Sequence, residues 1–372
     1  MAKRLFGMLA AVSAALAAVP AQASAVNDCP NRDAPFSAQS PLVDLLLSPA
    51  ARAVLDKYSP GAFDRMPPAF AGTKPPTFAA ILTINEARRF TGMPAEKVAE
   101  LDAELRALPV TEADRAARCE RFDNAPLRYT RVRGKPNILV FEKINGFRDV
   151  PSVNAAHVAL QSMAGRMGWA LTFTEKGGAF TPRTLRQFDA VIWNNISGDV
   201  LTLSQREAFK RWLEQGGAYV GMHGSAGDPV YFWDWYPDAL LGARFAGHPM
   251  NPQFQEARIA VNHDHPLAHA LPAEWRMSDE WYSFRTNPRT VGAQVVLTLD
   301  ESTYTRIGPM SEGLTMGADH PLAWTNCIGK GRMFYSAIGH RPETYSQPEH
   351  LTLLEEAINW AATAKKACAA KR

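Results

Sequence analysis

From residue 135 onward, short apolar runs alternate with longer segments whose apolar positions recur every three or four residues. NILVFE (137–142), ALTFTE (170–175), FDAVIWNN (188–195) and AYVGM (218–222) read as strands. VNAAHVALQSMAGRMG (153–168) and SQREAFKRWLEQGG (204–217) read as the amphipathic helices between them, the second stopped by Gly216 and Gly217. Near-continuous apolar strands separated by amphipathic helices predict a parallel sheet covered on both faces. After Asp228 the chain turns aromatic and irregular. AQVVLTL, LAWTNCI and GRMFYSAIGH then read as strands and EHLTLLEEAINWAATA as a closing helix.

Residues 26–130 have a different texture. SPLVDLLLSPAARAVLDKYSP carries apolar residues at helical spacing, with Ser40 as the expected cap before Pro41, and TFAAILTINEARRFTG and PAEKVAELDAELRALP predict two further helices. A proline-rich stretch, RMPPAFAGTKPP, joins them. Ahead of this region Lys3 and Arg4 precede an apolar run from Leu5 to Val19 and a small-residue site at 21–25. That order predicts a secretory leader removed near residues 23–25 and an exported protein, secreted or periplasmic. No later stretch is long and apolar enough to span a bilayer. The expected plan is therefore a leader (1–25), a helical appendage (26–130), an α/β domain (131–365) and a basic tail (366–372).

Charge narrows the partners. Lys and Arg total 40 against 37 acidic residues, scattered rather than striped, which argues against nucleic acid or a membrane surface and leaves a small molecule. Whether the chain forms a homo-oligomer stays open. The four cysteines, Cys29, Cys119, Cys327 and Cys368, contain no CxxC pair, so a cysteine-rich zinc site is not expected. In an oxidising compartment they allow two disulfides. The expected pairing is Cys29–Cys119 and Cys327–Cys368, each joining a terminal segment to a better ordered one, although spacing alone leaves the other connectivities open.

Chemistry gathers where apolar strands end. GGAYVGMHGSAGD (216–228) is a strand breaking into glycines, and its Gly221-x-His223-x-Ser225 spacing puts an imidazole where a strand-to-helix elbow holds a nucleophile. His340 follows another apolar run that ends in glycine. In open α/β sheets ligands sit beyond the carboxyl ends of the strands, so His223 and His340 are the first candidates. His248, His265 and His320 each precede a proline and read equally as turn residues. Glu280, between Asp279 and Trp281–Tyr282, is expected to have a raised pKa suited to proton transfer.

The strings NGFR, GGAYVGMHGSA, LLGARFAGHP, HPLAHALP, DEWYSF, VLTLDESTY, HPLAW and GRMFYSAIGHRPETY, in this order over about Asn137 to Ala362, resemble the ThuA-like (trehalose utilisation) family. The resemblance implies a flavodoxin-like, doubly wound, mostly parallel sheet of the class I glutamine amidotransferase type, with the N-terminal helices as an addition outside it. Relatives of that fold carry cysteine at the elbow. With His223 there instead, thiol amidotransferase chemistry is excluded. The family's first loop carries a histidine after Phe-Arg, where this chain has Asp149.

The resemblance also implies a substrate, a disaccharide or glycoside with a ketone at C3. Its C2 proton is acidic and the C1 oxygen can then leave by elimination. That reaction needs a base, an acid and positive potential at the enolate oxygen. His223 or His340 is the expected base and Glu280 the expected acid, with Arg148, Asp149, Ser225, His248, Tyr282 and Tyr345 as expected substrate contacts. Trp233, Trp235, Tyr236 and Trp281, with Tyr282 and Tyr345, are candidates for stacking on a sugar face. A divalent metal, zinc or manganese, held by His223, His248, Glu280 and His340 is a further expectation, although no pair has the i,i+4 spacing of a zincin. Competing readings are a sugar-binding protein without turnover, an isomerase or epimerase on the same keto-sugar, and a serine hydrolase using Ser225.

Overall fold

A computed structural model describes residues 26–309, 312–364 and 366–368. The expected leader lies outside the described residues. Six short helices open the described chain: α1 (Leu42–Leu47), α2 (Pro49–Tyr58), α3 (Pro68–Ala71), α4 (Ile84–Thr91), α5 (Val98–Arg106) and α6 (Glu112–Cys119). The first amphipathic stretch is broken in two because Ser48, followed by Pro49, caps a new helix by accepting from Ala51 N; the expected cap, Ser40, lies before Pro41, which itself occupies the capping position of α1. Thr83 and Glu86 form a capping box at α4, and Gly92 ends that helix in the left-handed conformation. Leu42, Leu45, Leu55, Ile84, Leu101 and Leu105 give the segment a core of its own. Cys29–Cys119 ties its start to its end, as expected, and Cys327–Cys368 pins the C-terminal tail to the sheet.

The rest of the chain is built on one nine-stranded sheet. Its strands are β1 (Asn137–Phe141), β2 (Ala170–Thr174), β3 (Ala190–Asn194), β4 (Ala218–Met222), β6 (Phe254–Val261), β7 (Glu274–Glu280), β9 (Gln294–Leu299), β10 (Pro321–Ile328) and β11 (Gly331–Ser336); β5 (Phe245–Gly247) and β8 (Ser283–Phe284) pair separately. The order is β2-β1-β3-β4-β11-β10-β9-β6-β7. The first five strands are parallel to their neighbours and wind in the doubly wound order 2-1-3-4-5. α7 (Val150–Met167) links β1 to β2, α8 (Pro182–Leu185) links β2 to β3, and α9 (Leu203–Glu214), which contacts α8, links β3 to β4. The closing helix α10 (Pro348–Thr363) packs beside α7.

The last four strands are antiparallel, an extension that the strand–helix alternation does not foretell. β6 and β7 escape the sequence pattern because only every second residue is inward, and the outward ones include Glu256 and Arg258 on β6 and Glu274 and Arg276 on β7. Two features of the sheet make the site. β4 and β11 are parallel neighbours, Met222 opposite Ser336, so the residues just past both ends lie side by side. The twist of the antiparallel half accumulates, and the turn Pro342–Ser346 packs on β7, which brings the last residue of β7, Glu280, to the same place.

Candidate functional site

β4 ends at Met222, and His223 starts a single tight turn, His223–Ala226, with φ of 32°. A β-carbon in the left-handed region costs on the order of 1–3 kcal/mol, so the surroundings must hold this backbone in place. Tyr335 donates its hydroxyl to His223 O at 2.7 Å, and Gly224 N donates to Asn195 Oδ1 at 3.1 Å. Ser225 Oγ donates to Trp193 O at 3.0 Å and accepts from Ile196 N at 3.2 Å. These bonds fix the turn and also decide the role of Ser225. Its hydroxyl is buried and engaged on both sides by backbone, so it neither contacts substrate as expected nor stands as a nucleophile.

His223 is buried, and its Nδ1 lies 2.7 Å from Ala337 O. A carbonyl only accepts, so Nδ1 carries a hydrogen, and Nε2 faces inward. Across from it stands His340, whose ring meets that of His223 edge-on at 5.3 Å between centroids. Between the two histidine backbones passes Gly339, with φ of 141°. A β-carbon there would meet Tyr345 Oη at 2.4 Å and His223 Cβ at 3.1 Å, so the approach requires glycine.

The adjacent acids Asp279 and Glu280 point opposite ways from β7, as successive strand residues do. Asp279 accepts from Gly339 N at 2.7 Å and Arg341 N at 3.1 Å, clamping the backbone on either side of His340, and burial pushes its carboxyl up. Glu280 faces the imidazoles, with Oε2 3.0 Å from His340 Nδ1 and 3.5 Å from His223 Nε2. Burial works to raise the Glu280 pKa, but hydrogen bonding to His223 and His340 outweighs it and holds the carboxyl well below its usual range. This corrects the expectation of a raised pKa. The same pair acts on His340, where burial opposes the charged ring but Glu280, aided by Asp149, raises the pKa.

The rim is mixed. His248 is 25% exposed, and its Nδ1 lies 2.9 Å from Pro249 O and 3.2 Å from Glu280 Oε1. Both are acceptors, so Nδ1 holds a hydrogen and the Nε2 lone pair points away from the carboxylate. Gln253 Nε2 donates to Glu280 Oε1 at 2.5 Å. Asp149, at the start of α7, brings Oδ2 within 3.6 Å of His340 Nε2 and is also bonded by Ser152 Oγ. Arg148 is turned outward to Glu175 at 3.0 Å, so it is placed beside the site rather than in it. Tyr282 and Tyr345 are buried wall residues, the first ring tilted against His223 at 4.2 Å and the second accepting from Asn195 Nδ2 at 3.1 Å.

The expected stacking aromatics mostly belong to the core: Tyr236 and Trp281 are buried, and Trp233 and Trp235 lie against each other near Tyr236. The rings that flank the exposed edge of His340 are Phe147, 40% exposed and 6.2 Å away, and Phe254, 41% exposed and 5.3 Å away. Sequence reading missed both, along with Gln253 and the clamping role of Asp279. Phe147 stands inside a motif already singled out, NGFR, whereas nothing in GHPMNPQFQ marks Phe254 or Gln253. The donor atoms of His223, Glu280 and His340 all lie within 4.8 Å of one another and could share one cation; His248, expected as a fourth ligand, falls outside that group because its near nitrogen already donates.

The family model for ThuA, described as trehalose utilisation, matches residues 137–361. Solved structures similar to this chain include a ThuA-like protein from Bacteroides uniformis, 24% identical, covering 65% of this chain and 96% of that one with a TM-score of 0.53. Another is a ThuA-like protein from Parabacteroides merdae, 18% identical, covering 63% and 92% with a TM-score of 0.48. No curated protein matches the chain.

Proposed function

Because this chain belongs to the ThuA, trehalose utilisation, family, we propose that it acts on a sugar bearing a ketone, cleaving a 3-keto-glycoside by proton abstraction and elimination. The observation that carries the reading is the buried Glu280 carboxylate gathering His223 and His340 beneath a partly exposed His248.

His248 Nε2 serves as the base. Its tautomer is set by the acceptors at Nδ1, and its exposed ring can reach a bound sugar, which are the two needs of a general base. It removes the proton at C2, and the electron pair moves into an enolate at C2–C3. His340 Nε2, 3.6 Å from Asp149 Oδ2, donates a hydrogen bond to the enolate oxygen. The enolate then collapses, the C1–C2 double bond forms, the C1–O bond breaks, and the proton on His248 passes to the departing oxygen. Water added back at C1 completes the cleavage.

A glycosidase of the ordinary kind needs two carboxyl groups, one of them kept protonated to assist the leaving group. Here Asp279 is engaged by backbone N–H groups and Glu280 is held ionised, so neither supplies that acid. This favours elimination over an oxocarbenium route. The class I glutamine amidotransferase-like assignment of the fold belongs to the same reading, with His223 at the position of the amidotransferase thiol.

The test is turnover of a 3-keto-glycoside in D2O. Deuterium at C2 of the released keto-sugar together with free aglycone is expected, and release of aglycone with the C2 hydrogen fully retained overturns the mechanism. Tight binding of sugars with no turnover of any 3-keto-glycoside would instead support an exported binding protein.

A further inference from the structure

Three ligand-type atoms meet in one buried space. His223 Nδ1 lies 2.7 Å from Ala337 O, and its Nε2 lies 3.5 Å from Glu280 Oε2. His340 Nδ1 sits 3.3 Å from that same nitrogen and 3.0 Å from that same oxygen. Two imidazole nitrogens and a carboxylate oxygen facing one another away from water form a set that one cation can satisfy together.

The spacing says what fits. Donor atoms 3.0, 3.3 and 3.5 Å apart form a triangle whose corners can all be about 2.1 Å from one point, the ordinary zinc–nitrogen and zinc–oxygen bond length. Separations of this size are what three ligands on one face of a tetrahedral or octahedral ion show.

The atoms behind the triangle are also arranged for it. His223 Nδ1 is held by Ala337 O, Glu280 Oε1 by Gln253 Nε2, and His340 Nε2 faces Asp149 Oδ2. Each ligand is thereby oriented through its far atom, with a backbone carbonyl behind one histidine and a carboxylate behind the other, as is usual behind metal-bound histidines.

We propose that His223 Nε2, His340 Nδ1 and Glu280 Oε2 form a three-ligand site for one divalent first-row transition ion of the zinc or manganese class. Two imidazoles with one carboxylate exclude magnesium and calcium as the preferred occupants, since those ions take oxygen ligands. Three protein ligands leave positions open for water or a substrate oxygen. The role of the ion, holding the ketone oxygen while His248 takes the proton, rests on the function proposed above; its binding does not.

Chelator-treated protein is titrated with zinc by calorimetry and with cobalt(II) by visible absorption. One ion per chain is expected. Glu280→Gln and His340→Ala should each weaken zinc binding by about a hundredfold or more, and Asp149→Asn by about tenfold, with circular dichroism confirming that each variant is folded. His248→Ala should bind zinc as the parent does while losing turnover, and magnesium should not compete. No stoichiometric zinc uptake, or unchanged affinity in Glu280→Gln, overturns the inference. Full turnover after complete removal of metal overturns the ion's role in the reaction while leaving the site and the elimination reading intact. Zinc uptake as expected, with no 3-keto-glycoside ever turned over, upholds the site and removes the reaction.

Discussion

Two buried histidine–carboxylate groups stand in the same domain, one closed off by its neighbours and one at an opening. His320 is fully buried, with Nδ1 2.9 Å from Glu301 Oε1 and Nε2 2.8 Å from Tyr282 O, an acceptor in front of each nitrogen. Glu301 is bonded in turn by Met316 N at 2.5 Å and by Arg306 at 2.9 Å. The group is closed and joins the 301–316 segment to the wall below Tyr282. At Glu280 two imidazoles share one carboxylate, a third imidazole, His248, is partly exposed, and aromatic rings stand beside the opening. A closed set of partners holds structure together, whereas an open set is available to bind and react.

The sharpest way to break that contrast is to neutralise each carboxylate. Glu280→Gln should lower turnover of a 3-keto-glycoside by on the order of a thousandfold, whereas Glu301→Gln should leave the kcat of folded protein within about twofold. Equal losses in steady-state assays would erase the distinction. His320→Ala should cost about 3 kcal/mol in urea unfolding, because it leaves Glu301 Oε1 and Tyr282 O without their buried partner. His248→Ala should reduce kcat by about a hundredfold, the usual worth of a positioned base, with a thermal midpoint near that of the parent.

The smallest effect concerns a third carboxyl, Asp228, which belongs to neither group. Burial pushes it up to about 7, against hydrogen bonds from Ser197 and Gly198 N. The native chain therefore keeps a proton that the unfolded chain releases above about 4. Stability should fall as pH rises from about 4 to 7, and that slope should flatten in Asp228→Asn when unfolding is followed across the same range.

Much of the site could be read from sequence because its histidines follow apolar strands that end in glycine. His223 and His340 are marked this way, and Glu280 by its aromatic neighbours. The direction of the Glu280 shift could not be read. Adjacent Asp279 and the aromatic pair suggest a raised pKa, but strand alternation turns Asp279 away, and the deciding neighbours come from 57 residues earlier and 60 later in the chain. The three His-Pro pairs look alike in sequence. In the fold His265 accepts from Leu267 N within its own turn, His320 is closed by Glu301, and His248 reaches Glu280.

The sequence by itself determined the local elements: where apolar runs become strands, where Thr83 and Gly92 start and stop a helix, and that an imidazole occupies the elbow after β4. Periodicity, caps and glycines act over a few residues, so they can be read along the chain. The tertiary structure alone decided that β11 lies beside β4, that an antiparallel half delivers Glu280 to their ends, and that the two imidazoles share one carboxylate. Those outcomes depend on strand order and accumulated twist, and the pKa of a buried group follows the charges around it in space rather than its neighbours in sequence.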